Sequence, residues 1–245
     1  IKYILRRGAM NFIKTIKDDV NTVFERDPAA RSKVQVLLLY PGVKAMISYR
    51  IAHFFDNRGH HLIADWISKR ARRKTGIEIH PSAQIGKGVF IDHGMGVIIG
   101  ETAVVGDYCT IYQGVTLGGT GKDKGKRHPT IGKNVTIGAG AKVLGPFSVG
   151  DNSKIAANAV VLSEVPPDST CVGVPAHVVK RGNKRVAPAA PWLKPVADLD
   201  QIHIPDPISM EICRLSADID RLKKKLNCDC SESAQEITDI LEDVK

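Results

Sequence analysis

A period of six residues in the apolar positions constrains the fold of this chain more than any other feature. Branched or small apolar residues occupy every sixth position in two runs: Ile79, Ile85, Ile91, Val97, Ala103, Cys109 and Val115, then Ile131, Ile137, Val143, Val149, Ile155 and Val161. A hexapeptide with one inward aliphatic residue forms a short strand and a corner, and stacked coils bury each other's apolar faces. The sequence therefore predicts a parallel β-helix over 76–180.

One interruption of this period lies between Val115 and Ile131. These residues are sixteen positions apart, and the excess over one repeat is a ten-residue segment, GKDKGKRHPT at 121–130. An insertion into stacked coils has to leave them as an external loop, and loops on rigid scaffolds often carry function. Because the segment contains Arg127 and His128, we read it as a candidate binding loop; a surface loop without function is the alternative.

Residues 10–75 carry a helical pattern, in which apolar residues recur at steps of three and four. Such a domain is small for independent stability, so we expect it to pack on the β-helix or on another subunit. Residues 1–9 precede Met10 and are read as an expression leader without function. The predicted helices are 12–26 before Pro28, 34–56 before Gly59, and 61–74.

Residues 181–245 are predicted to form a linker followed by a helical tail with an acidic end. Prolines are frequent between 188 and 207. Steps of four and three then connect Ile208, Ile212, Leu215, Ile219, Leu222 and Leu226. This stripe is typical of a coiled coil, and an amphipathic helix docked on its own subunit is the alternative.

Composition excludes several classes of protein. No apolar run approaches the roughly 18–20 residues that span a bilayer, and five cysteines do not make a disulfide framework in 245 residues, so we expect no membrane association and a cytoplasmic location. The net charge is +9, but the dense basic run KRARRK at 69–74 closes a predicted helix, where cations are favourable. Nucleic acid is therefore not an expected partner. Cys228 and Cys230 lack the second pair that a zinc site needs.

Several longer motifs resemble those of serine O-acetyltransferases. They are IHPSAQIGKGVFIDHGMGVIIGETAVVGD, TLGGTGK, RHPTIG, IGAGAKVLG and VPPDSTCVGVPAHVV, together with RDPAA at 26–30. Other hexapeptide acyltransferases share the repeat, whereas the combination of DHGxG, GGTGK and RHP is more specific. The resemblance implies an α-helical domain before a left-handed β-helix. It also implies acetyl transfer from acetyl-CoA to the L-serine hydroxyl, giving O-acetyl-L-serine for cysteine biosynthesis, with no permanently bound cofactor and no metal.

The resemblance assigns His93 as the general base that takes the proton of the serine hydroxyl. A carboxylate on the other ring nitrogen would fix the tautomer and stabilise the imidazolium. In the family this partner is usually the Asp of a DIHP motif, whereas this chain has Glu78 in that place. Glu78 is therefore the expected partner of His93, with a carboxylate one methylene further from the backbone.

The same resemblance assigns the serine contacts. The ammonium is expected to meet Asp92 and, from the helical domain, Asp27 next to Pro28. The substrate carboxylate is expected to meet Arg127 and His128, because a guanidinium fork suits a carboxylate. All these residues are thus expected to converge on one small amino acid.

The acetyl-CoA contacts implied by the resemblance are small residues along the coils, where an amide-rich arm can approach the backbone. They are Gly119, Thr120, Ala139 and Ala157. Basic residues beyond the last coil are candidate partners of the CoA phosphates, although simple surface charge explains them equally well: Lys180, Arg181, Lys184 and Arg185.

The resemblance also implies partners. L-Cysteine is expected to be a feedback inhibitor that competes with serine, and the chain is expected to form a homotrimer or a dimer of trimers. In the family a C-terminal Ile docks into O-acetylserine sulfhydrylase, and this sequence ends in Lys245. Two alternatives stay open: an acetyltransferase for a sugar or another hydroxyl, and a non-catalytic scaffold. A zinc site of the γ-carbonic anhydrase kind is not expected, because no HxxxxH pair occurs.

Overall fold

The computed structural model describes the backbone of residues 2–119, 121, 124–185, 214–215, 217–219 and 221. Side chains are described for the same residues except 2–11 and 185. Most of the predicted linker and of the predicted tail helix lies outside the described residues, as do Thr120, Cys228 and Cys230.

Four helices precede the β-helix: α1 (Lys2–Arg26), α2 (Lys33–Leu39), α3 (Pro41–Asp56) and α4 (His61–Thr75). Helix α1 ends before Asp27 and Pro28, as predicted, and it begins at Lys2, inside the segment that was read as a leader. The prediction of one helix over 34–56 is wrong. Tyr40 and Pro41 divide it, because the proline ring cannot continue α2 but is well placed in the first turn of α3.

The strands form three parallel faces that the chain visits in rotation, which is a parallel β-helix. Face A contains β1 (Glu78–Ile79), β4 (Ile98–Ile99), β7 (Thr116–Gly118), β10 (Lys142–Leu144) and β13 (Val160–Val161). Face B contains β2 (Gln84–Ile85), β5 (Val104–Val105), β8 (Thr130–Ile131) and β11 (Ser148–Val149). Face C begins with β3 (Phe90–Ile91), β6 (Thr110–Ile111), β9 (Thr136–Ile137) and β12 (Lys154–Ile155).

The strand register departs from the predicted period of six residues at one turn. Ile79, Ile85 and Ile91 occupy strand positions six apart, but the next strand residue in the same role is Ile99, eight positions after Ile91. Val97 also fits the period of six, yet it is a buried corner residue that precedes the strand. The turn that contains His93 is thus two residues longer than the repeat. The later insertion is correspondingly shorter than predicted.

The first residues of the predicted linker belong to the sheet. Face C continues with β14 (Ser169–Gly173), which pairs parallel with β12, and then with β15 (Ala176–Arg181) and β16 (Lys184–Arg185), which add antiparallel. The ordered sheet therefore extends five residues beyond the predicted boundary at 180. The basic residues at its end lie on strands.

The helices pack against the first coil. Phe90 of β3 is buried with apolar residues of three helices: Val20, Val23, Val36 and Val43. A buried ion pair adds to this contact, since Arg50 on α3 holds Asp19 on α1 through two nitrogens and donates to the Gly86 carbonyl at 2.8 Å. The contact places the end of α1 and the start of α3 beside the turn that contains His93.

Candidate active site

We name the three edges of the β-helix after one residue on each. The His93 corner joins face C to face A through 92–97, 112–115, 138–141 and 156–159; the His128 corner joins face A to face B through 80–83, 100–103 and 119–129. The Tyr108 corner joins face B to face C.

His93 lies at the most irregular turn of its corner. Its φ is 55°, in the left-handed region, and Gly94 and Gly96 follow with φ of 73° and 75°. The His93 side chain is 76% exposed, and its Nε2 atom is 3.9 Å from Asp92 Oδ1, too far for a hydrogen bond. The imidazole is thus exposed to solvent and forms no hydrogen bond with Asp92.

Two carboxylates act on one tyrosine near this turn, and we call Asp27, Asp92 and the Tyr40 hydroxyl together the acidic pocket. Asp27 Oδ1 accepts a hydrogen bond from the Ala29 backbone N–H at 2.8 Å, and Asp27 Oδ2 accepts one from the Tyr40 hydroxyl at 2.6 Å. The bond to Asp27, burial, and the negative charges of Asp27 and Asp92 raise the pKa of Tyr40 to about 12. The negative charges of Asp27 and Asp92 therefore both act on one phenol, which stays protonated at neutral pH.

The loop that carries Asp27 and Pro28 is fixed to the β-helix by the residue before it. Arg26 Nη1 donates to the Tyr108 carbonyl at 2.9 Å and to Thr110 Oγ1 at 2.8 Å. Hydrogen bonds from a charged donor are stronger than neutral ones. They hold the end of α1 against β6, one coil below Asp92.

The structure does not join Glu78 to His93. Glu78 Oε2 is 3.0 Å from Arg72 Nη1 on α4, and the side chains are 41% and 61% exposed, respectively. The basic end of α4 supplies this partner, which the sequence analysis assigned only to the helix dipole. The backbone of Glu78 nevertheless borders the His93 corner, because its N–H donates to the Val97 carbonyl at 2.9 Å.

Arg127 and His128 are organised by Thr102. Thr102 Oγ1 accepts hydrogen bonds from the Arg127 N–H at 3.0 Å and the His128 N–H at 3.1 Å, and the Thr102 N–H donates to His128 Nδ1 at 3.2 Å. Since Nδ1 accepts, the proton of the neutral ring lies on Nε2. Glu101 pairs with the Arg127 guanidinium. The insertion is thus anchored at its C-terminal end.

His128 differs from His93 in its surroundings. It is 8% exposed, and its ring covers Gly100, where an added Cβ would lie 2.1 Å from His128 Nε2. Burial, and then the positive charge of Arg127, lower the pKa of His128 below its ordinary value of 6.5. The ring is therefore held neutral in one orientation.

Within one chain, the predicted serine contacts are divided between two corners. Asp92, His93 and the Asp27 loop lie at the His93 corner, whereas Arg127 and His128 lie at the His128 corner, across face A. One chain alone therefore does not bring all of the expected serine contacts to one corner. The sequence located the insertion but did not indicate from which corner it leaves.

The predicted acetyl-CoA contacts are divided in the same way. Ala139 and Ala157 are each the second residue after a face C strand, the position that His93 holds two and three coils earlier. Coils spaced like neighbouring strands place Ala157 about 14 Å along the corner from His93. Gly119 lies at the His128 corner, where an added Cβ would meet the Arg127 carbonyl oxygen at 2.9 Å.

Tyr40 and Thr102 are the site residues that the sequence analysis missed. Tyr40 follows three leucines, so that it resembles a core aromatic, and Thr102 lies in an ordinary repeat. The Pro41–Gly42 pair after Tyr40 was the available signal, because proline and glycine together mark a break in a helix.

Two further expectations concern metals and membranes. Across the described residues, no three His, Cys, Asp or Glu side chains come together as a metal site would require. The helices of the described part of the chain include none with the length and apolar character for crossing a bilayer.

The three-sided β-helix and the exposed histidine at its corner define a hexapeptide-repeat transferase. Residues 128–163 match the bacterial transferase hexapeptide family (six repeats). Serine acetyltransferase of Synechococcus elongatus is 49% identical over 229 residues, which cover 92% of this chain and 89% of that protein. The Staphylococcus xylosus enzyme of that name is 51% identical over 212 residues, or 86% of this chain and 94% of that protein. The chain belongs to the serine acetyltransferase family, so it is an acyltransferase.

Solved structures of similar proteins agree with this family assignment. Neisseria gonorrhoeae serine acetyltransferase in complex with serine is 41% identical, with a TM-score of 0.69 and coverage of 73% of each chain. A serine acetyltransferase complex with cysteine is 41% identical, with a TM-score of 0.70 over 72% of this chain and 69% of that chain. The Brucella abortus enzyme with coenzyme A is 42% identical, with a TM-score of 0.70 over 71% and 70%. The functional interpretation of the sequence is confirmed at the level of reaction.

Proposed function

We propose that this enzyme acetylates L-serine at the His93 corner, with His93 as the general base. The observation that supports this most is a largely exposed imidazole on a left-handed turn beside an acidic pocket. Five other non-glycine residues of the β-helix share this left-handed backbone, so it is the exposure of the His93 imidazole and its acidic neighbours that support the assignment. The turn is also the one that carries two residues beyond the repeat.

The reaction follows from the chemistry of these groups. His93 takes the hydroxyl proton of serine as the oxygen attacks the thioester carbonyl of acetyl-CoA. The new C–O bond forms, the C–S bond then breaks, and the imidazolium returns the proton to the CoA sulfur. No acyl-enzyme forms. Base catalysis of this kind contributes on the order of 10²- to 10⁴-fold in rate.

The acidic pocket is proposed to bind the serine ammonium. Asp27 and Asp92 supply two carboxylates that both act on Tyr40, and Pro28 follows the end of the helix, so that Asp27 lies on a loop. The relative solved with serine supports a small amino acid as ligand. L-Cysteine is proposed to compete in the same pocket, as the relative solved with cysteine suggests.

Arg127 and His128 are proposed to bind the serine carboxylate from a second copy of the chain. They lie at another corner of their own chain, and their side chains are organised in advance by Thr102 and Glu101. A closed ring of three copies would bring the His128 corner of each to the His93 corner of the next. We therefore propose a homotrimer of left-handed β-helices, with each site shared by two chains.

Glu78 stays a proposal as the partner of His93. Its pair with Arg72 is exposed on both sides, and exposed ion pairs contribute about 0–1 kcal/mol, so little opposes a change of partner. The Gly96 N–H donates to the Gly76 carbonyl at 2.9 Å, which ties the His93 turn to the residues just before Glu78.

Acetyl-CoA is proposed to lie between the same two chains. Ala139 and Ala157 would contact its pantetheine arm from the His93 corner, and Gly119 and Thr120 from the His128 corner of the neighbour. The relative solved with coenzyme A supports this ligand class. Lys180, Arg181 and Lys184 are proposed to meet the phosphates, and Arg185 extends the same strand pair.

The acceptor tests this proposal directly. Release of the CoA thiol is measured with acetyl-CoA and either L-serine or amino sugars as the acceptor. We expect release that depends on L-serine, and competitive inhibition by L-cysteine. Release only with a sugar would overturn the assignment of the acidic pocket to an amino acid.

A further inference from the structure

Tyr40 is the link between the two parts of the acidic pocket. It lies between α2 and α3, where its backbone N–H closes α2 on the Val36 carbonyl and its own carbonyl accepts from the Lys44 N–H. Tyr40 is also the N-cap residue of α3, but its side chain makes no capping hydrogen bond. The hydroxyl instead donates to Asp27 Oδ2 at 2.6 Å.

Close packing fixes the position of the Tyr40 backbone. Two residues after Tyr40, an added Cβ on Gly42 would lie 2.1 Å from the Ile91 carbonyl oxygen. The first turn of α3 thus rests on the backbone immediately before Asp92 and His93, with only glycine fitting at the contact. Because Pro41 fixes its own φ in that turn, Tyr40 has little freedom to move away from the site.

The hydrogen bonds of Asp27 explain what Tyr40 does there. With Oδ1 held by the Ala29 N–H and Oδ2 held by Tyr40, the carboxylate plane is fixed by two donors on different segments. Each oxygen keeps a lone pair for an ammonium N–H. Without the phenol, the carboxylate could rotate toward solvent and away from its like-charged neighbour Asp92.

We propose that Tyr40 is a positioning residue that holds the Asp27 carboxylate beside Asp92 to receive the serine ammonium. The inference rests on the proposed function, since it needs an amino-acid substrate in this pocket. It adds a residue that acts through Asp27 and takes no part in proton transfer.

The test compares Tyr40→Phe with a matched control, Tyr108→Phe, which removes a hydroxyl at the Tyr108 corner. Loss of a hydrogen bond to a charged group costs enough to raise the KM for L-serine about ten-fold or more. We expect that rise in Tyr40→Phe, with kcat changed less, the KM for acetyl-CoA unchanged and the melting temperature close to that of the parent. Tyr108→Phe should match the parent in all four.

A double-mutant cycle with Asp27→Asn tests the route through Asp27. We expect Tyr40→Phe to add little once Asp27 is Asn. Additive effects, an unchanged KM for L-serine in Tyr40→Phe, or a joint loss of kcat, both KM values and thermal stability would each overturn the inference.

The same measurements separate the two proposals. If Asp27→Asn raises the KM for L-serine and Tyr40→Phe does not, only the role of Tyr40 fails. If Asp27→Asn leaves that KM unchanged, the ammonium pocket itself fails, and the role of Tyr40 fails with it.

Discussion

The histidines at the two corners of the site are opposite in their surroundings. His93 is 76% exposed in its side chain, on a left-handed turn, with its nearest carboxylate 3.9 Å away. His128 is 8% exposed, covers Gly100, and has Nδ1 occupied by Thr102. A general base has to be accessible to the proton that it removes. A binding residue that is already fixed loses less conformational entropy when the ligand binds. The difference therefore supports our proposal that catalysis takes place at the His93 corner and that the His128 corner binds the substrate carboxylate.

The largest expected effect on activity comes from removing the imidazole at the His93 corner. Asn is the best replacement for His93, because Asn134, Asn152 and Asn158 adopt φ of 53–58° in this same fold. We expect kcat of His93→Asn to fall on the order of 10²- to 10⁴-fold, with the melting temperature preserved.

His128→Asn provides the matched comparison for His93→Asn. We expect it to act mainly on the KM for L-serine, because the ring is assigned to binding. Steady-state kinetics of both variants, with serine and acetyl-CoA varied separately, measure the contrast. A larger loss of kcat in His128→Asn than in His93→Asn would reverse the assignment.

The next largest effect is expected where the helical domain packs against the His93 corner. Gly42→Ala puts a methyl group against the Ile91 carbonyl, and forced overpacking costs about 1–3 kcal/mol. We expect a lower free energy of unfolding in denaturant titration and a higher KM for L-serine. Lys44→Ala, at an exposed position of the same helix, is the control and should change neither.

At the His128 corner, the positions of Arg127 and His128 depend on the Thr102 hydroxyl. Thr102→Val removes the acceptor of the Arg127 and His128 N–H groups, so we expect the KM for L-serine to rise about ten-fold, equivalent to about 1.4 kcal/mol. Thr102→Ser keeps the hydroxyl and should stay close to the parent. Equal kinetics for the Val and Ser variants would show that Thr102 does not organise the loop.

The smallest effect is on the pH dependence of stability. Because the pKa of His128 is lowered in the folded chain, the unfolded chain binds more protons just below pH 6.5. The free energy of unfolding should therefore fall as the pH drops from about 6.5 through the lower native pKa. His128→Asn should show a shallower fall in urea titrations over this range; an identical slope would contradict a neutral, buried ring.

The sequence predicted the β-helix well, because every coil repeats the same physical requirement for an inward aliphatic residue. It failed on register at the turn that matters most. Val97 and Ile99 are both apolar and both buried, so the period of six continues unbroken across a two-residue insertion. Periodicity alone could not show which of them is the strand residue.

The site was predicted in its residue types and less well in its geometry. The resemblance named Asp27 and Asp92 together, and in the structure both carboxylates raise the pKa of Tyr40; their binding of the serine ammonium stays a proposal. The relation of Arg127 and His128 to His93 was not predictable, since a hexapeptide pattern does not specify the neighbouring copy. The pairing of Glu78 with Arg72 depends on the end of α4, which periodicity located without indicating its contacts.

A site shared between two chains is the central claim, and subunit complementation tests it most directly. His93→Asn and the double variant Arg127→Ala/His128→Ala are expressed separately, and also together so that mixed assemblies form. In a random trimer made of equal amounts, about one quarter of the shared sites combine an intact His93 from one chain with an intact Arg127 and His128 from the next. We predict that the co-expressed mixture regains up to that fraction of the parent activity, although each variant alone is nearly inactive. Activity no greater than the average of the two separate variants would contradict a shared site and would place all of these residues in one chain's own site.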